Sequence, residues 1–347
     1  MTIETAQMFF KTKKRSYAII DTPGHKEFIK NMITGTSQAE AAILIVDAEK
    51  GVEEQTRRHA YVLSLLGIRK VIAVINKIDL TECSQNRFNE VSNQVKKLLK
   101  TLEITPLHVI PVSAKHGFNI ARRTEKTPWY HGNTVIEALD AIEHESAEHK
   151  NGLRYPIQDI YRIKGKEIIV GRIEHGTLKT GEPVIVLPEN TKTRVKSIET
   201  FKNRIVEKQE AEKGESIGIT LEHNVKTRRG DVICTEKDRP NVTDEIKARI
   251  IHLSEKPLSL GEKVKLKIAT EESEAIIQKI DEKVDSSTLK IIKTDKDRLK
   301  ETEIGFVTLK TATLLAVDSF QKIPEMGRFV LARREDIIAG GIVSEAT

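Results

Sequence analysis

Only two cysteines occur among the 347 residues, Cys83 and Cys234, far apart and with no C-x-x-C or histidine cluster beside either. That usage argues against a zinc site or a disulfide framework and fits a reducing compartment. Long apolar runs are also missing. None reaches the roughly 18 residues a membrane-spanning helix needs, and the first residues carry no apolar signal-peptide core. The expectation is a soluble, cytoplasmic protein with no membrane partner. Aromatic residues are scarce at 4%, and no long block carries one sign of charge. The 57 basic and 51 acidic residues are intermixed, so the net charge of +6 describes solvated faces and does not by itself mark a polyanion-binding tail.

What is present falls into two textures. Residues 1–149 alternate short apolar strands with helical stretches, the pattern of a parallel sheet with crossover helices. Strands are predicted at 16–21, 41–47, 71–76 and 108–113, each ending in a polar residue, and helices at 26–34, 54–66, 88–102 and 134–149. In such sheets the ligand sits beyond the carboxyl ends of the strands, which is where those polar residues fall. From 153 onward the chain becomes many short period-two strands punctuated by Gly165, Gly176, Gly181, Gly214, Gly230 and Gly261. Regular short strands with turn signals and few helices mean barrels or sandwiches. The polar, proline-broken stretch 236–242 marks a second boundary, giving domains at 1–150, 151–240 and 241–347.

Three motifs follow three of the strands. Asp21-Thr22-Pro23-Gly24-His25 places a carboxylate at a strand end and a glycine three residues later. The carboxylate can hold Mg²⁺ through water, while the glycine lets the backbone approach a terminal phosphate and swing when that phosphate leaves. Asn76-Lys77-Ile78-Asp79 offers a carboxylate that can accept two hydrogen bonds, from the N1–H and the exocyclic amine of guanine. Adenine has no such donor pair at that edge. Lys77 would lay its stem over the base and Asn76 would tie neighbouring loops together. In Ser113-Ala114-Lys115 the Ala114 N–H could reach guanine O6 while Lys115 flanks the ring. Each motif alone recurs by chance; their order, 55 and 37 residues apart and each after its own strand, points to a guanine-nucleotide site.

These residues resemble the third, fourth and fifth motifs of the translational GTPases, a family that includes elongation factor Tu, and the likeness runs on through both β domains. The resemblance implies an α/β G domain followed by two antiparallel β-barrel domains, with GTP or GDP and Mg²⁺ as cofactors. It implies that His25 positions the attacking water beside Gly24. Met1-Thr2-Ile3-Glu4 is similar to the end of the family's first switch, which puts Thr2 at Mg²⁺ and the γ-phosphate together with Asp21. One family motif, G-x-x-x-x-G-K-[ST], has no counterpart in this sequence. The first strand, phosphate loop and first helix would then precede Met1, read here as an internal methionine, and the chain as written is expected to bind GTP poorly.

Within the family two subgroups compete. Gln55-Thr56-Arg57-Arg58-His59 departs from the elongation factors' Q-T-R-E-H and is similar to the GTPase subunit of heterodimeric sulfate adenylyltransferase. Lys256-Pro257-Leu258-Ser259-Leu260-Gly261 and the double glycine Gly340-Gly341 also resemble that subunit. The implied role is a subunit coupling GTP hydrolysis to adenosine 5′-phosphosulfate synthesis, partnered by a separate catalytic subunit. The alternative is an elongation factor delivering aminoacyl-tRNA, with nucleic acid as a partner in that case only. A third is a nucleotide-free remnant binding through its barrels. His144 and His149 fall on a charged helix and are read as solvent-facing.

Overall fold

The computed structural model describes residues 6–21, 39–143, 152–163, 165–202, 204–223, 225–286, 288, 290–294 and 297–346. The chain divides into two compact units, Met1–His144 with Val284–Ile292, and Glu145–Lys283 with Lys293–Thr347.

The first unit holds a parallel three-stranded sheet in the order β3 (Ala42–Asp47), β4 (Val71–Asn76), β5 (His108–Pro111). Central β4 is apolar at every position before Asn76 and buried throughout, as a strand covered on both faces must be. Its Ile72 and Val74 cluster with Ile110, Val112 and Ala138. Among the described residues, α1 (Glu54–Leu65) links β3 to β4, α2 (Gln85–Thr101) lies between β4 and β5, and α3 (Val135–Asp140) comes after β5. Helix α2 starts three residues before the predicted 88 because Ser84 caps it, its side chain accepting the Arg87 N–H at 3.3 Å.

Helix α3 corrects the predicted helix at 134–149. A reciprocal capping box starts it, with Glu137 N–H on Thr134 Oγ1 at 3.2 Å and Thr134 N–H on Glu137 Oε2 at 2.8 Å. It ends at Asp140 with Ala141 as its cap, so the apolar spacing of Val135, Leu139 and Ile142 outruns the helix itself. His144 and His149 lie outside the described residues, as does the predicted helix at 26–34.

A second correction concerns the predicted strand 16–21. It forms as β2 (Ser16–Asp21) but pairs antiparallel with β1 (Ala6–Lys11) in a ribbon separate from the parallel sheet. No glycine, proline or asparagine announces the turn. Instead Thr12 Oγ1 accepts the backbone N–H groups of Lys14 and Arg15 at 3.1 and 3.2 Å, closing it with a side chain. A two-stranded ribbon is marginal by itself. Here Thr12 and Tyr17 both donate to Asp140 Oδ1, at 2.8 and 2.5 Å, and Arg15 donates to the Ile142 carbonyl at 2.8 Å, tying the ribbon to the end of α3.

The second unit contains two β assemblies. Strands between Tyr155 and Cys234 form a seven-stranded sheet whose long strand Thr191–Lys202 also pairs with Pro183–Leu187 at the far end, curling it round. Strands between Asn241 and Ala346 make a closed six-stranded barrel. All six glycines read as turn markers have positive φ, from 77° to 95°, the region where a Cβ is strained. Ile185, Leu187, Val232 and Cys234 pack with Ala316, Ile323 and Met326, joining the two assemblies through a shared apolar cluster.

Beside this cluster lies a buried charge that the sequence does not announce. Arg154 is 0% exposed and grips Asp318, itself 2% exposed, with two bonds: Nε to Oδ2 at 2.6 Å and Nη2 to Oδ1 at 2.9 Å. Its Nη1 donates to the carbonyls of Leu153 and Asp238 at 3.0 and 2.9 Å. Burial alone would lower the guanidinium pKa, but Asp318 and Asp238 outweigh it and raise it.

Candidate guanine-recognition site

Strands β3, β4 and β5 end side by side, with Asp47 in register with Asn76 and Ile75 with Pro111, so the loops leaving them converge. Asn76 is the tie between them. Its Oδ1 accepts the Ala114 N–H at 3.0 Å and the Lys77 N–H at 2.8 Å, and the Ile78 N–H donates to the Val112 carbonyl at 3.1 Å. Six of the residues predicted from the sequence, Asn76, Lys77, Asp79, Ser113, Ala114 and Lys115, thus lie in two loops joined by these bonds. One detail differs from expectation: the Ala114 N–H assigned to guanine O6 is turned onto Asn76.

Lys77 takes left-handed backbone at φ 62°, which ends β4 abruptly and starts a short 3₁₀ turn, Ile78–Thr81. Its Nζ donates to Asp47 Oδ2 at 2.7 Å. Asp47 also accepts the N–H groups of Glu49 and Lys50, at 2.8 and 3.2 Å. Burial pushes the Asp47 carboxyl up, but Lys77 and those two amides prevail and hold it below the ordinary value. Arg87, from α2, clamps the same loop by donating to the carbonyls of Ala48 and Glu49 at 2.8 and 2.7 Å.

Asp79 sits in the 3₁₀ turn with its side chain 18% exposed, enough to meet a ligand. The Ser113 hydroxyl hydrogen-bonds its carboxylate and is the main cause of its lowered pKa, opposed by burial, with smaller contributions from His116 and Lys115. The group is therefore an ionised acceptor held in place from the neighbouring loop. Asn119, buried, braces that loop: its Nδ2 donates to the Pro111 carbonyl at 2.8 Å and to Thr127 Oγ1 at 3.0 Å, and its Oδ1 accepts the Thr124 N–H at 3.2 Å.

Asp47, Arg87, His116 and Asn119 were not singled out as site residues from the sequence. Asp47 carried a signal, as the polar end of a predicted strand; the other three become visible only when the loops meet.

The remaining predicted residues are placed differently. Thr2, Thr22, Pro23, Gly24 and His25 lie outside the described residues. Asp21 closes β2, in the ribbon and apart from the parallel sheet. Of the two residues implied at Mg²⁺, the described residues therefore offer one carboxylate, and among them no group of three His, Cys, Asp or Glu side chains converges. For the base the fit is fuller: a fixed ionised carboxylate, an amide and a lysine at the ends of adjacent strands match the donor edge of guanine.

Comparison with known proteins gives the family of the chain. The family described as "Elongation factor Tu GTP binding domain" matches residues 1–145, "Elongation factor Tu domain 2" matches 166–234, and "GTP-eEF1A C-terminal domain-like" matches 245–344. Elongation factor 1-alpha of Methanosphaera stadtmanae is 36% identical, over 100% of this chain and 85% of its own length. That of Pyrococcus horikoshii is 39% identical, over 99% and 82%. Sulfate adenylyltransferase subunit 1 of Teredinibacter turnerae is 33% identical, over 96% and 70%. A crystal structure of Sup35 complexed with GDP superposes with a TM-score of 0.55 at 25% identity, covering 98% of this chain and 84% of that one. The chain belongs to the translational GTPase superfamily. It has that family's G domain followed by two β-barrel-type domains. Among the described residues no helix is long and apolar enough to cross a membrane.

Proposed function

We propose that this protein binds GTP and GDP, with Asp79 selecting guanine and the switch around residues 21–25 carrying hydrolysis. The observation that supports it best is the Asp79 carboxylate, 18% exposed beside two strand-end loops tied together through Asn76, its pKa lowered chiefly by Ser113. Two charge-assisted bonds from the N1–H and amine of guanine complete its acceptor capacity, and adenine supplies neither. Lys77 would release Asp47 to lie along the base, while Asn76 keeps the two loops in register. Asp21 and Thr2 would hold Mg²⁺, which when bound neutralises charge on the phosphate oxygens. His25, by family resemblance, would orient the water and Gly24 would meet the terminal phosphate.

The finer role has two readings, and we place the elongation-factor reading first. The elongation factor 1-alpha relatives combine higher identity with more of their length than the sulfate adenylyltransferase subunit does, and the C-terminal match carries an eEF1A description. The residue that favoured the other subgroup, Arg58, is buried in α1 and paired with Glu54 one turn earlier. Packing within the helix accounts for it without a partner. The sulfate-activating reading rests on the 33% relative and on the resemblance of the last domain.

A calorimetric titration of the full chain with GDP, with ADP as control, tests the nucleotide reading. Guanine-specific binding supports it; binding of both without preference contradicts it. Salt-dependent binding of aminoacyl-tRNA against co-purification with an ATP-sulfurylase catalytic subunit then separates the two finer roles.

A further inference from the structure

Asp79 already has a visitor. His116 Nε2 stands 3.7 Å from Asp79 Oδ2, one of the two oxygens that guanine recognition requires. The placement is built into the loop. The His116 N–H donates to Ser113 Oγ at 3.4 Å, and the ring stacks on Phe118 with centroids 5.4 Å apart and planes 28° apart. Phe118 is itself held by its N–H on the Ser113 carbonyl at 3.0 Å. Ser113 thus meets the carboxylate and also anchors the backbone that carries the imidazole. The His116 side chain is 46% exposed, so it can leave without opening a core.

We propose, resting on the guanine-site reading above, that His116 is a removable stand-in for the base on Asp79, so that guanine-nucleotide affinity falls as the solution is acidified. Protonated, the imidazolium is an ionic partner for the oxygen that the base needs; neutral, it is a weak one. A base must displace the first at greater cost than the second. The other charged or titratable groups around this pair are Lys115 on the same loop, Cys83 near Asp79, and Lys126 near Cys83. In general lysines keep their charge over the interval in which imidazoles change theirs, so a pH dependence in that interval is the mark of an imidazole.

The test is GDP titration at about pH 8 and about pH 5.5, for the wild-type chain, His116→Asn and His116→Lys. Taking the ratio of variant to wild type cancels titration of the nucleotide's own phosphate. His116→Asn should bind about threefold more tightly than wild type at the lower pH and nearly equally at the higher, the factor an exposed ion pair is worth. His116→Lys should be weaker than His116→Asn at both, with a ratio to it that does not change with pH. If GDP binds but the wild-type and His116→Asn profiles run parallel, the stand-in role is wrong while the guanine site stands. If no chain prefers GDP over ADP at either pH, the site reading fails and takes this inference with it.

Discussion

Two aspartates, one in each unit, show how the same group serves opposite ends. Asp318 is 2% exposed and both its oxygens are taken by one guanidinium, with Lys322 adding a contact at 3.3 Å. Asp79 is 18% exposed, fixed by one neutral hydroxyl, and faces an imidazole it can exchange. A carboxylate sealed by fixed partners orients a packed interior; one fixed from behind with spare acceptor capacity in front can read a ligand. The difference lies in which partner can leave, since both carboxylates are held by groups from elsewhere in the chain.

Breaking the sealed pair should give the largest effect. Arg154→Leu leaves Asp318 buried with only Lys322 near, and chemical denaturation should show a loss of about 3–5 kcal/mol. The double substitution with Asp318→Leu should recover most of it, because two apolar side chains need no compensation.

On the reader side, Asn76→Ala removes the acceptor shared by the Ala114 and Lys77 N–H groups. At about 1 kcal/mol for each of the two bonds, GDP affinity should fall about thirtyfold in calorimetry. The denaturation midpoint should fall as well, since both bonds are already made in the free protein.

A smaller effect comes from His252, buried in the closed barrel with Nε2 at 2.9 Å from the Lys256 carbonyl. Burial is the main cause of its lowered pKa. The unfolded chain therefore takes up this proton first. The stability contribution is complete above the unfolded value of about 6.5 and is lost as pH falls below it. Melting curves at about pH 5 and about pH 7.5 should show a larger acid loss for wild type than for His252→Gln.

Smallest of all, Lys265→Ala removes an exposed pair with Glu335 at 2.9 Å and should leave the midpoint of the same melts nearly unchanged.

Legibility from the sequence follows the same division. The unbroken apolar run of β4 ending in Asn76, and period-two strands between positive-φ glycines, are local patterns and could be read directly. The β1–β2 ribbon could not, because Thr12 makes its turn with a side chain where glycine or asparagine would have signalled one. Nor could the end of α3, since Ile142 keeps the apolar spacing after the helix has stopped. At the site, the residues proposed to meet a base stand in short motifs. The braces behind them, Arg87 and Asn119, reach loops that only folding brings near. Arg154, two residues past Gly152, looks like any surface arginine until Asp318 arrives 164 positions later.

The most direct measurement is equilibrium binding of GDP, ADP and xanthosine diphosphate to wild type and Asp79→Asn. Xanthine carries a carbonyl where guanine has its amine, so an asparagine amide can donate where the carboxylate accepted. Guanine recognition by Asp79 predicts that the substitution weakens GDP by about a hundredfold and brings in xanthosine diphosphate, with ADP ignored by both proteins. Unchanged GDP affinity in Asp79→Asn, or ADP binding to wild type as tightly as GDP, would contradict it.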